Sequence, residues 1–231
     1  MKVVLSRKGM DSRAGGIPSP ILPDGTLLSL PIPNEKSGVP YGDLVYKGRT
    51  YQQIIQQIHP TFDFQKHPFC HLDPDIYGVL KNKHAGWKPA FGQYEIPAKH
   101  LDGQGVDVGD VFLFYGMFRQ TEKLPDGTLH FVKGAPIQHI IYGYMVVGEI
   151  LKDQDKIKEL YNQFRGTRTR QVRNTRTTAF TSLRTTACSR TVILSFSVNR
   201  VSRTVGFGIC LLSAPLVTSS FLGRVKISPC W

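Results

Sequence analysis

The side chains best suited to bind a charged ligand lie near the start of the chain, directly after the apolar residues 3–5. Arg7 and Lys8 can give charge-assisted hydrogen bonds to a phosphate group. The same anion site can be lined by two hydroxyls, from Ser6 and Ser12, and by two backbone amides, from Gly15 and Gly16. Long polar loops after a buried strand are often functional, so we predict a ligand-binding loop here. The alternative is a solvated loop whose glycines only form turns.

Acid–base chemistry could come from two parts of the sequence. Asp11 follows the basic pair and could orient a ribose hydroxyl or act as a base. His71 and Asp73 belong to the segment 67–75, HPFCHLDPD, and are the other candidate catalytic residues. The structural alternative is an ordered turn in which His71 and Asp73 bond to the backbone.

The same segment contains residue types that bind metals, namely His67, Cys70 and His71, with Asp73 close by. No second cluster completes a four-ligand zinc site, so we predict no metal centre. Cys70 beside a histidine could also be a nucleophile pair, but adjacency in sequence does not give the required geometry. Neither a Walker A nor a Rossmann glycine pattern is present, and the sequence identifies no cofactor.

Three residues at strand ends or in loops carry polar groups that could contact a base, namely Gln93, Tyr115 and Arg119. Aromatic residues are frequent in the middle of the chain. Some could stack on a base, as in proteins that bind single strands. Alternate aromatic residues of the run 111–118, however, are expected in the core.

The elements that must position these residues are mainly strands joined by loops rich in Gly and Pro. We predict strands at 3–5, 27–32, 111–118, 130–132 and 140–150 and helices at 50–57 and 153–164, with an irregular segment at 11–25. Two glycines in 140–150 could permit a bend or a bulge. The predicted fold class is α+β, with a mixed sheet or a partly open barrel and a few helices.

The composition changes abruptly after Glu159. From Leu160 to Trp231 there is no Asp, Glu or His, although the chain has 17 acidic residues. Of the 29 Lys and Arg, 11 lie after Glu159, so 18 remain against the 17 acidic residues. The formal net charge of +12 therefore comes almost entirely from the tail, which is weak support for a nucleic-acid partner.

Three interpretations of this tail compete: a basic arm that binds phosphates, the approach to a membrane anchor, and a shifted reading frame. We favour the third. Thr is encoded by ACN and Arg commonly by CGN, so in a frame shifted by one base residues 167–170 of the Arg/Thr-rich run 165–190 can read His-Pro-His-Ala. We therefore divide the chain into a domain at 1–164, truncated by the shift, and a frameshifted or disordered basic tail at 165–231. Such a product could be inactive, and resequencing the gene tests this.

The compartment is inferred from three features. The uncharged stretch 204–222 contains Gly, Pro and several Ser and Thr, so it is a poor spanning helix, and we predict no membrane partner. No apolar run at the N-terminus is long enough for a signal peptide. Cys70 is the one cysteine before the tail, which suits a reducing compartment. We expect a cytoplasmic protein, and its oligomeric state is not indicated.

Several motifs together resemble the third class of the bacterial and phage nucleotide-modification-associated domains. They comprise the opening segment 6–25 (SRKGMDSRAGGIPSPILPDG) and the segments 29–33, 41–44, 71–75, 91–93, 100–110 and 114–119. The similarity extends from Met1 to about Ile150, after which members of the family continue with a His-Pro-His segment that this chain lacks. The resemblance implies a nucleotide or nucleic-acid partner without defining a reaction.

Two functions from different classes remain open. As an enzyme, the protein would hold phosphate with Arg7 and Lys8 and use Asp11, His71 or Asp73 for proton transfer. As a binding module, it would hold a modified base near Gln93, Tyr115 and Arg119 without turnover. A similarity of 109–115 and 140–150 to paired strands of PUA-like barrels, which read modified bases, favours the second, but only by analogy of fold.

Overall fold

The structure is a computed structural model that describes residues 1–35, 37–71, 74–81, 89–157, 159, 177–193 and 227–230. The named helices are α1 (Tyr51–Ile58) and α2 (Glu95–Gly103), together with a 3-10 turn at Tyr41–Asp43, and residues 154–157 are helical as well. The strands are β1 (Val3–Arg7), β2 (Ser19–Ile21), β3 (Ile32–Pro33), β4 (Val45–Tyr46), β5 (Arg49–Thr50), β6 (Cys70–His71), β7 (Ala90–Tyr94), β8 (Val111–Lys123), β9 (Leu129–Phe131), β10 (Gln138–Leu151), β11 (Thr177–Ile193) and β12 (Ile227–Cys230).

Eight of these strands form one mixed sheet. Its order is β12-β1-β8-β10-β11-β7, and β2 and β9 also pair with β8. β1 and β2 run parallel to β8, whereas β10 is antiparallel to both β8 and β11. The predicted α+β class with a mixed sheet is confirmed, and the described strands do not close into a barrel.

The two long central strands follow from the alternation of their side chains. In β8, Phe112, Phe114 and Phe118 are buried on one face, while the alternate residues Leu113, Tyr115 and Met117 are only half-buried. This period of two is typical of a strand with one face in the core. The predicted strands 111–118 and 140–150 are confirmed and extend further at their ends. The expected bulge is present in β10, where the register shifts between Ile141 and Gly143.

Helix α1 confirms the helix predicted at 50–57. Thr50 accepts a hydrogen bond from the amide of Gln53 (3.1 Å), and the Gln53 side chain accepts one from the amide of Thr50 (2.9 Å). This capping box satisfies amides that have no partner inside the helix. Ile54, Ile55 and Ile58 are buried on one face, as their spacing predicts. Helix α2 has no counterpart among the sequence predictions. Of the helix predicted at 153–164, the structure describes residues 154–157 as helical.

The N-terminal loops differ from the predictions in two places. Ser19–Ile21 form a short strand within the segment 11–25, which we expected to be irregular throughout. The continuous strand predicted at 27–32 is wrong, since Leu27 makes only an isolated bridge with Ile21 and Ile32–Pro33 form a strand of two residues. The reason is that the backbone there has other partners: the amide of Leu30 donates to the Ser19 hydroxyl (3.0 Å), and the carbonyl of Leu30 accepts from Met10 (2.8 Å).

Strand β11 lies inside the segment that we assigned to an irregular tail, 165–231. It pairs antiparallel with β10 on one side and β7 on the other. Phe180 is buried and its ring lies 5.3 Å from that of Phe91 and 5.2 Å from that of Phe112. The expected irregularity is therefore incorrect for Thr177–Ile193, because this strand completes the sheet between two others. The proposed frameshift itself stays a prediction.

The membrane anchor weighed for residues 204–222 lies outside the described residues. Among the described residues, no helix has both the length and the apolar character needed to cross a membrane.

Two groups of buried side chains form the interior. The sheet core consists of residues from the large sheet and its close neighbours, chiefly Val4, Phe91, Phe112, Phe114, Phe118, Ile140, Tyr142, Met145, Val147 and Phe180. The loop core consists of residues from α1 and the N-terminal loops, chiefly Met10, Leu28, Leu30, Tyr41, Leu44, Tyr51, Ile54, Ile55, Ile58 and Cys70. Tyr77 packs against both groups and so joins them.

Candidate functional site

A cavity of about 380 Å³ lies where the sheet core and the loop core meet. This volume falls within the range that is typical of small-molecule sites. Five of the predicted site residues line it, namely Arg7, Lys8, Asp11, His71 and Gln93. They come from β1, the loop after it, β6 and β7, so the fold brings together residues that are far apart in sequence. Asp75 and three tyrosines, Tyr51, Tyr77 and Tyr142, line it as well.

Arg7 is the last residue of β1, and Asp11 fixes its position. The Arg7 Nη2 atom lies 2.6 Å from Oδ2 of Asp11. The other carboxylate oxygen of Asp11 accepts hydrogen bonds from the amides of Arg13 (2.7 Å) and Ala14 (2.8 Å). Asp11 therefore closes a turn and holds the guanidinium at the same time, which suits a positioning role for this carboxylate.

The guanidinium of Arg7 also reaches β8 and influences β10. Its Nη2 lies 3.3 Å from the sulfur of Met117, which pairs in register with His139. Burial, and to a lesser extent the positive charge of Arg7, lowers the pKa of His139 below its usual value. The Arg7 side chain keeps 44% of its surface exposed, so a ligand can reach it.

Lys8 is held by both its side chain and its backbone. The ammonium lies 4.6 Å from the centre of the Phe91 ring, a cation–π contact. The Lys8 amide donates to the Tyr115 carbonyl (2.9 Å), and a Cβ at Gly116 would approach the Lys8 carbonyl oxygen to 2.7 Å. Gly116 is therefore required for β1 and β8 to pack this closely at the cavity.

Gly9 fixes the direction in which the chain leaves β1. Its φ of +84° is rare for residues with a side chain, and a Cβ would lie 2.7 Å from the Ser29 hydroxyl oxygen. A substitution here would be strained by both effects. The glycine thus turns the chain from the strand into the loop that carries Asp11.

Asp75 is a cavity residue that the sequence analysis missed. It is 2% exposed, and its two oxygens accept hydrogen bonds from the amides of Val79 (2.7 Å) and Leu80 (3.1 Å). The sequence offered a signal in the Asp-Pro-Asp segment, because Asp often bonds to backbone amides a few residues ahead. Asp73, which we preferred as a catalytic residue, lies outside the described residues.

The three tyrosines form the aromatic part of the cavity and were also missed. The rings of Tyr77 and Tyr142 are stacked with their centres 6.5 Å apart. The Tyr77 hydroxyl donates to the Leu27 carbonyl. Burial raises the pKa of Tyr51 well above its usual value, so this hydroxyl stays protonated. The tyrosines come from α1, a loop and β10, and no local pattern in the sequence links them.

His71 borders the cavity from β6, where it pairs with Ile32 of β3. The preceding Cys70 is fully buried, and its thiol donates to the Val39 carbonyl (3.4 Å). Burial raises the pKa of Cys70, which disfavours the thiolate that a nucleophile needs. The His67 ring packs against Phe62 instead, with 5.9 Å between ring centres. Within the described ranges, no three His, Cys, Asp or Glu side chains could together hold a metal ion.

The remaining predicted residues do not line this cavity; they are Ser6, Ser12, Gly15, Gly16, Tyr115 and Arg119. Ser6 is buried in β1, whereas Ser12 is exposed. The Gly16 amide donates to the Asp11 carbonyl (2.8 Å), so it serves the turn. Arg119 donates to the Val132 carbonyl (3.0 Å) and lies over the Phe131 ring near the β8–β9 hairpin.

Comparison with known proteins identifies the family. The family model described as nucleotide modification associated domain 3 matches residues 2–204. The match covers most of the chain, so the protein belongs to this family, which indicates a role in nucleotide modification. It also continues past Ile150, where we expected the similarity to end. No curated protein and no solved structure matches the chain.

Proposed function

We propose that this member of the nucleotide modification associated domain 3 family binds a nucleotide in the cavity between its two cores. The phosphate would lie against Arg7 and Lys8, and the base would lie toward the tyrosines. The single observation that carries the proposal is that one cavity is lined by a basic pair, a histidine and three tyrosines. Guanidinium and ammonium groups bind phosphates, and aromatic rings stack on bases.

The orientation of the ligand follows from where these groups lie in the fold. Arg7 and Lys8 are at the end of β1. Tyr77 and Tyr142 belong to the junction of the two cores, where their rings stack on each other. Gln93 in β7 contributes an amide with one acceptor and two donors, which suits hydrogen bonding to a base edge.

We further propose that the protein acts on the nucleotide it binds. Among the described residues that line the cavity, His71 is the one imidazole, the side chain that most often transfers protons in enzymes. Asp11 is bonded to Arg7 and to two amides, so its part is to position the guanidinium. This leaves His71 as the proposed general acid or base.

Binding is tested by isothermal titration of the full chain with nucleotides. Arg7→Gln should weaken nucleotide binding by at least tenfold, since it removes a charge-assisted contact. Arg13→Gln is the matched control, because Arg13 is exposed in the same loop and does not line the cavity. Equal affinities for the two variants would remove Arg7 from the site.

Catalysis is tested with His71→Gln. Loss of a general acid or base should lower turnover by about 10²–10⁴-fold while binding changes little. His130→Gln, at an exposed position in β9, is the control and should retain full activity. Full turnover in His71→Gln would exclude this residue as the proton donor or acceptor.

A second candidate is a module that reads a modified base without turnover. It is favoured by the tyrosines, which with Gln93 provide stacking surface and a polar head for one base. This alternative predicts that no conversion occurs with any nucleotide, and that modified and unmodified bases differ in affinity. Replacing Gln93 with Ala should then reduce that difference, whereas Gln65→Ala on an exposed loop should not.

A further inference from the structure

Among the described residues that line the cavity, the formal charges balance one another. Arg7 and Lys8 contribute two positive charges, and Asp11 and Asp75 contribute two carboxylates. We propose that the site accepts a nucleotide unit with a single phosphate and discriminates against diphosphates and triphosphates. The inference rests on the proposed function, since it defines which nucleotide the same cavity takes.

The two carboxylates are fixed in place by the backbone. Asp11 is held by the amides of Arg13 and Ala14, and Asp75 by the amides of Val79 and Leu80. Because each turn depends on its carboxylate, neither negative group can move away when a ligand enters. Every phosphate added beyond the first therefore brings negative charge toward two fixed negative groups, in a site partly shielded from water.

Arg7 and Lys8 already make contacts within the protein, which limits the contacts that they can make with a phosphate. Both contacts of Arg7 within the described part of the chain, to Asp11 and to Met117, use Nη2. Bidentate binding of an oxyanion uses either Nε with Nη2 or Nη1 with Nη2, so with Nη2 engaged Arg7 can offer one phosphate a single hydrogen bond from Nε or Nη1. Lys8 is anchored over Phe91 and adds a single point charge. This donor set matches one phosphate group.

The size of the cavity supports the same limit. About 380 Å³ is near the lower end of the volumes that small-molecule sites have. The tyrosines line one part of the cavity wall, and the basic pair lines another. A base against the tyrosines and one phosphate against the basic pair would therefore fill both parts. A single-phosphate unit can come from a free nucleoside monophosphate or from one residue of a single strand with its base turned out of the stack.

The test is titration of the full chain with AMP, ADP and ATP, and with the corresponding guanosine and cytidine series. EDTA is present so that no divalent cation screens the phosphates. We expect the monophosphate of the preferred base to bind at least tenfold more tightly than its triphosphate. A triphosphate that binds as tightly as the monophosphate, or more tightly, would overturn the inference and leave the proposed function standing. If neither the nine nucleotides nor the oligonucleotide described below binds, both the inference and the proposed function are excluded.

Asp11→Asn sharpens the test. The Asn Oδ1 atom can still accept the two amide hydrogen bonds, so the turn is kept while the negative charge is lost. The ratio of monophosphate to triphosphate affinity should fall at least threefold in this variant. Asp102→Asn changes the net charge equally at an exposed position in α2 and should leave the ratio unchanged. Equal ratios in both variants would contradict the role of Asp11.

A further titration with a single-stranded oligonucleotide of five nucleotides distinguishes the two possible sources of the phosphate. Tighter binding of the oligonucleotide than of the monophosphate would identify a residue within a strand as the ligand. The reverse order would identify a free nucleotide. Both results agree with a single-phosphate site, and the order decides between the two sources.

Discussion

The two cores of this molecule differ in what accompanies their apolar packing. The sheet core is built from large aromatic side chains that alternate along β8 and pack against one another, such as Phe112 and Phe91 with 4.6 Å between ring centres. The loop core also packs apolar side chains, and polar side chains of its loops bond to the backbone as well. The Tyr41 hydroxyl donates to the Pro31 carbonyl (3.0 Å), and the Ser37 hydroxyl donates to the Cys70 carbonyl (2.5 Å).

This difference explains how the cavity arises. Long strands satisfy their own backbone groups in the ladder, so the sheet core provides a rigid wall that carries Gln93 and Tyr142. The short strands β3 and β6 cannot do this alone, and the loops that join them need hydroxyls and carboxylates as partners. The wall built from loops therefore carries polar groups such as His71 and Asp75.

The largest effect is expected from a cavity made in the sheet core. Phe114 is fully buried, so Phe114→Ala should lower the free energy of unfolding by about 3–5 kcal/mol. Chemical denaturation of the full chain measures this. Ile96→Ala is the control, because Ile96 is 79% exposed and should change stability by about 0.5 kcal/mol or less. A loss below about 1 kcal/mol at Phe114 would mean that the sheet core is not closely packed.

The same contrast explains what could be predicted from sequence. The strands at 111–118 and 140–150 and the helix at 50–57 were predictable because their side chains repeat with the period of the element. The strand expected at 27–32 was wrong because Leu28 and Leu30 are buried in a loop whose amides bond to Ser19 and Pro20. Such partners lie outside any local window of sequence.

The candidate site was predictable to a similar extent. Arg7, Lys8 and Asp11 follow a strand directly, and this local pattern was enough to select them. Gly15 and Gly16 were selected by the same pattern but do not line the cavity. Tyr51 and Tyr142 were missed because they look like ordinary core residues, and only the packing of α1 against the sheet brings them to one cavity.

An intermediate effect is expected from a polar group in the loop core. Tyr41→Phe removes the donor to the Pro31 carbonyl and leaves that buried oxygen without this hydrogen bond, which should cost about 1–3 kcal/mol. Denaturation of Tyr144→Phe, at a half-buried position in β10, is the matched control. Because Pro31 lines the cavity, nucleotide affinity should fall in Tyr41→Phe as well. Unchanged stability would show that the loop core does not depend on this hydroxyl.

The smallest effect concerns pH and reports on the surroundings of Arg7. Burial and Arg7 lower the pKa of His139 below 6.5, so the folded state favours the neutral imidazole. As the pH falls through 6.5, the unfolded chain binds a proton that the folded chain does not, and stability decreases. The stability that comes from keeping this imidazole neutral is therefore fully present above pH 6.5. His139→Gln should flatten the decrease between pH 7.5 and 5.5, whereas His130→Gln should not.

Titration of His139 by NMR connects this effect to the ligand. Burial still lowers this pKa in Arg7→Gln, but the contribution of the positive charge is gone, so the pKa of His139 should rise part of the way toward 6.5. A bound phosphate would neutralise Arg7 and should raise the pKa of His139 in the same direction in the unmodified chain. The pKa of His139 thus reports whether the phosphate lies at the end of β1. If a saturating nucleotide leaves this pKa unchanged while binding is measured independently, the ligand does not contact Arg7 and must be placed elsewhere in the cavity.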